Sequence, residues 1–178
     1  MKALVIYGTR GGATKQIAEE IGKILGEQGF EVSVDDAKKS KSYNVNEYDL
    51  IVVGSSVWAT YWKWQATRFM RRNAKKLMGK KVALFSSGLA GGDPTQKEYA
   101  HKSIETTAAK FPWVKPIALA YFGGYVDFEH PTFFASFMAN AMKKDFEKKG
   151  QDTSKPYDTR DFSAIRQWAL DVAAKARV

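Results

Sequence analysis

The chain opens on a strand, a glycine and a helix, then repeats that order, and this alternation limits the fold more than any other feature. Residues 3–7 form a short apolar, β-branched run closed by Gly8. From Thr14 the period lengthens: Ile17, Ile21, Ile24 and Leu25 recur at helical spacing, with Lys15, Glu19, Glu20 and Lys23 between them. Gly29 stops that helix, and Glu31-Val32-Ser33-Val34-Asp35 then alternates as a strand does. Residues 50–54 repeat the buried-strand run and again end in glycine. A helix is predicted over 64–77, on the stripe Phe69, Met70, Ala74 and Leu77; strand, helix and strand follow over 82–85, 98–111 and 117–122. Such an order predicts an α/β fold, a doubly wound parallel sheet with helices on both faces. The alternation lapses through Gly123-Gly124-Tyr125-Val126-Asp127-Phe128, before helices predicted over 131–146 and 162–176. The polar stretch 148–161, with Pro156, joins those helices and is expected to be disordered. No repeat or linker divides the 178 residues, so a single domain over 1–178 is expected.

Composition removes several function classes. The chain has no cysteine, which excludes disulfides, thiolate nucleophiles, iron–sulfur ligation and cysteine-based zinc sites. No run of 18 apolar residues exists, and the first strand is too soon broken for a secretory h-region, so a cytoplasmic location is expected. The 28 Lys and Arg outnumber the 19 Asp and Glu, a balance of +9. The bases are spread along solvated faces, so nucleic acid is not the expected partner. Aromatic residues are abundant, with 11 Phe, 8 Tyr and 5 Trp.

In an open α/β sheet, ligands bind beyond the carboxyl ends of the strands, at the point where strand order reverses. Three loops there are unusual. The first, Gly8-Thr9-Arg10-Gly11-Gly12-Ala13-Thr14-Lys15, leads a strand into a helix N-terminus, where backbone N–H groups, glycines and two hydroxyls make an anion cradle. Its glycine spacing does not match the dinucleotide fingerprint, and Ala13 stands where the Walker loop has lysine. What remains suits one terminal phosphate. Arg10 would serve as a counter-charge there or point to solvent.

The second loop, from Gly54 to Trp64, holds three Trp and a Tyr within seven residues. A flat ligand needs a flat wall, and an indole supplies one. Trp58 lies nearest the strand end and is the candidate stacking residue, whereas Trp62 and Trp64 would line the ligand or begin the next helix and pack inward. The third loop, Ser86-Ser87-Gly88-Leu89-Ala90-Gly91-Gly92-Asp93-Pro94, brings backbone N–H groups near a ligand edge, with Ser87 or Asp93 as polar additions.

A T-x-x-G-x-T loop after the first strand, an aromatic loop after the third and a glycine-rich loop after the fourth resemble the flavodoxins, over almost the whole chain. Thr9 and Thr14 match the outer hydroxyls of the family's phosphate loop, Gly12 matches its glycine, and Gly11 replaces the middle hydroxyl. The resemblance implies a flavodoxin-like five-stranded parallel sheet in order 2-1-3-4-5, with FMN at the switch point. It implies that Thr9, Arg10, Gly11, Gly12, Ala13 and Thr14 hold the phosphate. Ser55, Ser56, Val57, Trp58, Ala59 and Thr60 would line one ring face and the ribityl chain. Ser87, Gly88, Leu89, Ala90 and Gly91 would contact the ring edge through N–H groups.

Thr9-Arg10, the segment 123–128 and the apolar helix carrying Phe133, Phe134, Phe137, Met138 and Met142 are also similar to one subgroup. It is the flavodoxin-domain group that includes the bacterial menaquinone-dependent protoporphyrinogen oxidase. The stretch 91–95, where that enzyme carries a long insertion, is short here. Neither His101 nor His130, the two histidines, belongs to a recognisable acid–base pair, so no catalytic residue is expected. The leading expectation is a soluble electron-transfer protein that works through FMN. Its partners would be acidic, ferredoxin-like redox proteins, because classical flavodoxins are mostly acidic and this chain is basic. The alternatives are an FMN-dependent, quinone-linked oxidoreductase of the protoporphyrinogen oxidase type, whose apolar helix touches a membrane surface, and a flavin-free binding module.

Overall fold

The computed structural model describes residues 1–39, 43–129, 136–148, 150 and 152–178. Strands β1 (Lys2–Gly8), β2 (Glu31–Asp36), β3 (Leu50–Trp58), β5 (Lys81–Ser87) and β6 (Ala118–Phe122) form one parallel sheet in the order β2-β1-β3-β5-β6. Counted along these five, that is the expected order 2-1-3-4-5. The short β4 (Tyr61–Trp62) folds back antiparallel on the end of β3, and β7 (Tyr125–Val126) pairs antiparallel with β8 (Tyr157–Asp158).

Alternation across the pleat builds two cores. Ala3, Val5 and Tyr7 face α1 (Ala13–Glu27) and α6 (Phe162–Ala176), while Leu4 and Ile6 face α2 (Trp64–Arg72), α3 (Ala74–Leu77) and α4 (Lys97–Ala109). The middle strands read as continuous apolar runs because both faces are covered. Each buried Val, Leu or Ile there contributes roughly 1.5–3 kcal/mol of transfer free energy. A further helix, α5 (Ser136–Lys148), brings Ala139 and Met142 to the cavity at the carboxyl ends of the strands.

Three expectations change, and a fourth falls partly outside the described residues. Gly54 does not end the third strand: β3 runs on to Trp58, and β5 reaches Ser87, so residues read as loop belong to strands. Gly54 is glycine because the Phe85 ring of the neighbouring strand crosses it, 1.9 Å from where a Cβ would stand. The helix expected over 64–77 breaks at Asn73, whose side chain donates to Phe69 O at 2.9 Å. The stretch 148–161 is not wholly irregular, since it contains β8. There Thr159 N–H donates to Gly124 O at 2.9 Å, and Gly123 leaves room for the Thr159 carbonyl. Finally, α5 is described from Ser136, so His130, Phe133 and Phe134 lie outside the described residues, as do the side chains of Phe137 and Met138. No helix among the described residues is long and apolar enough to cross a membrane.

Candidate functional site

The carboxyl ends of β1, β3, β5 and β6 open onto a cavity of about 440 Å³. All the residues expected to hold a ligand line it except Gly12, Ser55 and Gly91.

At one end sits the loop between β1 and α1. Gly12 adopts φ +91 there, a left-handed conformation that glycine tolerates, and caps α1 without a side-chain bond. Thr9 Oγ1 accepts the Gly12 N–H at 2.9 Å, so Gly12 shapes the loop from within. The N–H groups of Gly11, Ala13, Thr14 and Lys15 find no acceptor among the described residues, and the first turn of α1 carries no acid. A helix N-terminus left in this state favours an anion.

Arg10 is neither free in solvent nor paired with a carboxylate among the described residues. Its Nη1 donates to Ser56 O at 2.8 Å and Ser56 Oγ at 2.9 Å, joining the first loop to β3. Burial lowers its pKa from the ordinary guanidinium value. Burial also lowers that of Lys63, with the like charges of Arg10 and Lys38 adding to the effect. This end of the cavity is therefore electropositive.

Four serines at the strand ends wire the loops together. Ser55 is wholly buried; its Oγ accepts the Lys63 N–H at 2.8 Å and donates to Ser56 O at 3.1 Å, so it fixes the start of α2 and does not reach the cavity. Ser56 holds Arg10. Ser86 Oγ accepts Trp62 Nε1–H at 2.8 Å. Ser87 meets Thr14 across 2.8 Å.

That wiring separates the tryptophans. Trp62 packs inward against Phe111, Trp64 lies on the surface at the head of α2, and Trp58 lines the cavity while 44% exposed. Trp58 and Tyr61 pair across a two-residue turn in which Ala59 and Thr60 both have positive φ.

Beyond β5, the N–H groups of Gly88 and Gly91 are already used by Phe122 O and Gly88 O. A Cβ on Gly91 would fall 2.2 Å from Phe122 O, so this glycine packs on β6 instead of facing the cavity. The donors still free in this loop among the described residues are the N–H groups of Leu89 and Ala90. Asp93 caps the next turn by accepting Thr95 N–H at 2.9 Å.

Sequence reasoning missed the far wall: Gln96 and Tyr99, Tyr121 at the end of β6, Tyr125 and Val126 of β7, and Ala139 and Met142 of α5. Tyr121 and Tyr125 were findable, since they follow a fifth strand end subject to the same rule as the others. Burial, with a smaller effect from Tyr99, pushes the Tyr121 phenol up to about 12. Among the described residues, this lining holds no carboxylate and no imidazole, and His101 lies exposed on α4 beside Glu105.

A parallel sheet in this order, with a cavity at its switch point and an anion cradle at one end, defines an α/β protein of the nucleotide-binding kind. A family profile described as the flavodoxin domain matches residues 4–154, and the chain belongs to that family. It is 23% identical over 178 residues to the protoporphyrinogen IX dehydrogenase [quinone] of Escherichia coli strain K12, covering 97% of this chain and 95% of that protein. Among solved structures it is similar to a flavodoxin from the domain Archaea (TM-score 0.59, 19% identity, all of both chains). It is also similar to the Streptococcus pneumoniae TIGR4 flavodoxin (TM-score 0.59, 16% identity, 98% of this chain and 99% of that one).

Proposed function

We propose that the chain is a cytoplasmic electron carrier that binds one FMN in the cavity between β1, β3, β5 and β6. The observation that carries this reading is the convergence on one cavity of unpaired loop amides, the Trp58 wall and the free N–H groups of Leu89 and Ala90. The cavity's size suits a cofactor of that class, and its charge suits a single terminal phosphate. Gly11, Ala13 and Thr14 N–H would hold the phosphate, with Arg10 as counter-charge. Trp58 would cover one ring face, and Leu89 and Ala90 would bond the ring edge. When bound, FMN supplies a centre that accepts and returns electrons. The protein's part is to orient the ring, leave one edge reachable and keep other groups from reacting. A lining without carboxylate or imidazole among the described residues fits that part.

Purified protein should be yellow and release FMN on denaturation. Gly11 is the residue to test: its φ is not positive, and a Cβ there meets nothing within 4 Å. Gly11→Asp should place a carboxylate among the cradle amides and weaken FMN by about a hundredfold or more, with the fold intact. Unchanged affinity, measured by fluorescence titration, would put the phosphate elsewhere.

The partners proposed are acidic redox proteins, because the chain carries +9. Their encounter should slow as salt rises, since screening cuts such attraction to about 8–10 Å at ordinary ionic strength. A second reading, a quinone-linked porphyrinogen oxidoreductase, is favoured by the coverage of the Escherichia coli relative and by the wall of Tyr121, Val126 and Met142. Stopped-flow reduction by an acidic ferredoxin, beside a steady-state assay with protoporphyrinogen and a menaquinone analogue, separates them. Turnover in the second with sluggish, salt-independent transfer in the first would reject the carrier.

A further inference from the structure

Residues 50–92 contain eight Lys or Arg and no Asp or Glu. The fold gathers much of that charge on one face. Arg68, Arg71, Arg72, Lys75 and Lys76 are all exposed on α2 and α3, without an ion-pair partner among the described residues. On α1, by contrast, Lys15 pairs with Glu19 and Lys23 with Glu27. Like charges on neighbouring turns repel, so the α2 face is destabilised by its own field until an anion meets it.

The same face begins with an exposed aromatic ring: Trp64 is 61% exposed, with the Arg68 guanidinium 5.7 Å from its ring centre. Tyr61, in the preceding hairpin, is 65% exposed, with Lys110 Nζ at the end of α4 5.2 Å from its ring centre. Trp, Tyr and Arg are the residues that dominate binding energy in protein interfaces. Between them and the turn after β2 lies a recess of about 280 Å³, walled by Lys38, Trp64, Arg68 and Arg72 and floored by Phe69. Gln65 also lines it, and Gln65 Oε1 is buried with no hydrogen-bond partner among the described residues. Lys63, at the head of α2, lies within the fields of both Arg10 and Lys38, with Asp36 opposing them, so the bases link the cofactor cavity to this recess past that carboxylate.

The occupant must be anionic, enter a space the size of one or two side chains and cover aromatic rings. The phosphate of a nucleic-acid strand or lipid headgroup offers acceptors alone, and the donors of such a ligand lie on separate bases or amines. An acidic polypeptide brings carboxylates for two-pronged bonds to Arg68 and Arg72, and also N–H donors for an acceptor such as Gln65 Oε1. We propose that the recess walled by Lys38, Trp64, Arg68 and Arg72, with the exposed face of α2, docks an acidic segment of a partner protein beside the cofactor cavity. That the partner exchanges electrons rests on the carrier reading; the docking surface itself does not.

The test is calorimetric titration of the flavin-loaded protein with a short poly-L-glutamate. Arg68→Glu with Arg72→Glu is compared with Lys115→Glu and Lys175→Glu, exposed positions outside this face that give the same change in net charge. The first pair should weaken binding at least about tenfold and the second by less than about threefold. Arg68→Gln with Arg72→Gln should give a smaller loss in the same direction, and serves if the reversal impairs folding. Equal losses from the two charge-reversed pairs would reduce the effect to net charge and overturn the proposal. So would phosphatidylserine vesicles or single-stranded DNA that bind through Arg68 and Arg72 while poly-L-glutamate does not. Patch-dependent binding of poly-L-glutamate without electron exchange with an acidic ferredoxin would keep the surface and reject the carrier.

Discussion

Thr14 and Ser87, 73 residues apart in sequence, meet through hydroxyl oxygens 2.8 Å apart. Both residues are buried, Thr14 completely, so this contact ties the anion cradle at the head of α1 to the loop proposed to offer the ring-edge donors. The distance between the two ends of the ligand site is thus set inside the protein, before any ligand arrives. Removing one hydroxyl leaves the other buried and unpaired, which costs about 1–3 kcal/mol. Thr14→Val or Ser87→Ala should each lower stability by that amount in urea titrations. The double variant should lose less than the sum. Full additivity would show that the two hydroxyls do not act as a pair.

Trp58 and Trp62 should separate by what they affect. Trp58 is partly exposed on the cavity, so Trp58→Ala should leave stability nearly unchanged and weaken FMN by about 1–3 kcal/mol, with recovery of quenched flavin fluorescence. Trp62 is buried, bonded to Ser86 and 6.0 Å from the Phe111 ring. Trp62→Ala should cost about 3–5 kcal/mol in thermal or urea unfolding. If the effects are exchanged between the two variants, the ring wall belongs one residue pair further along the hairpin.

The architecture was legible in the sequence because β1, β3 and β5 are buried on both faces and so read as unbroken apolar runs. The parallel sheet with helices on both faces follows from that, whereas the strand order 2-1-3-4-5 came from the resemblance to the flavodoxins. What was illegible depends on contacts between distant residues. Gly54 looks like a strand end, and only the Phe85 ring lying across it shows why a strand continues through a glycine. The β7–β8 pair is two residues long on each side and too short for a periodic signal. It is held by Thr159 on Gly124 and by Arg160, which bonds Asp158 and Gln16 and stacks on Tyr125 and Phe162. The phosphate-end loop was readable as residues in order. The use of Ser55 as an internal brace was not, because its partner, the Lys63 amide, is defined only by the hairpin.

Tyr121 predicts a loss of stability in alkali. In the unfolded chain its phenol ionises near 10.0, whereas in the folded protein burial, with Tyr99 second, raises this to about 12. Below pH 10 both states keep the proton and the stabilising effect is full. As pH rises from 10 to about 12 the unfolded state ionises first, so stability falls, by up to about 1.4 kcal/mol per pH unit. Tyr7 and Tyr43, also raised by burial, act in the same direction. Urea unfolding at stepped pH should show this fall, and Tyr121→Phe should make it shallower. An unaltered slope in that variant, or a tyrosinate absorbance titration with no late-ionising phenol, would contradict the assignment.

Thr60 holds a conformation that its side chain disfavours. With Ala59 at φ +46 and Thr60 at φ +69, the turn has the positive φ values of a type I′ hairpin without the usual Asn or Gly. A β-branched residue there costs about 1–2 kcal/mol, and glycine's greater unfolded freedom offsets part of any relief. Thr60→Gly should therefore stabilise the ligand-free protein by about 0.5–1 kcal/mol in urea titrations. Thr60 also lines the cavity, and the turn fixes where β3 presents Trp58. The same variant should bind FMN more weakly, because a glycine turn holds the indole less firmly. Higher stability with lower affinity would mark the strain as part of the site. A fall in stability would mean that Thr60 makes compensating contacts, and the strain argument would fail.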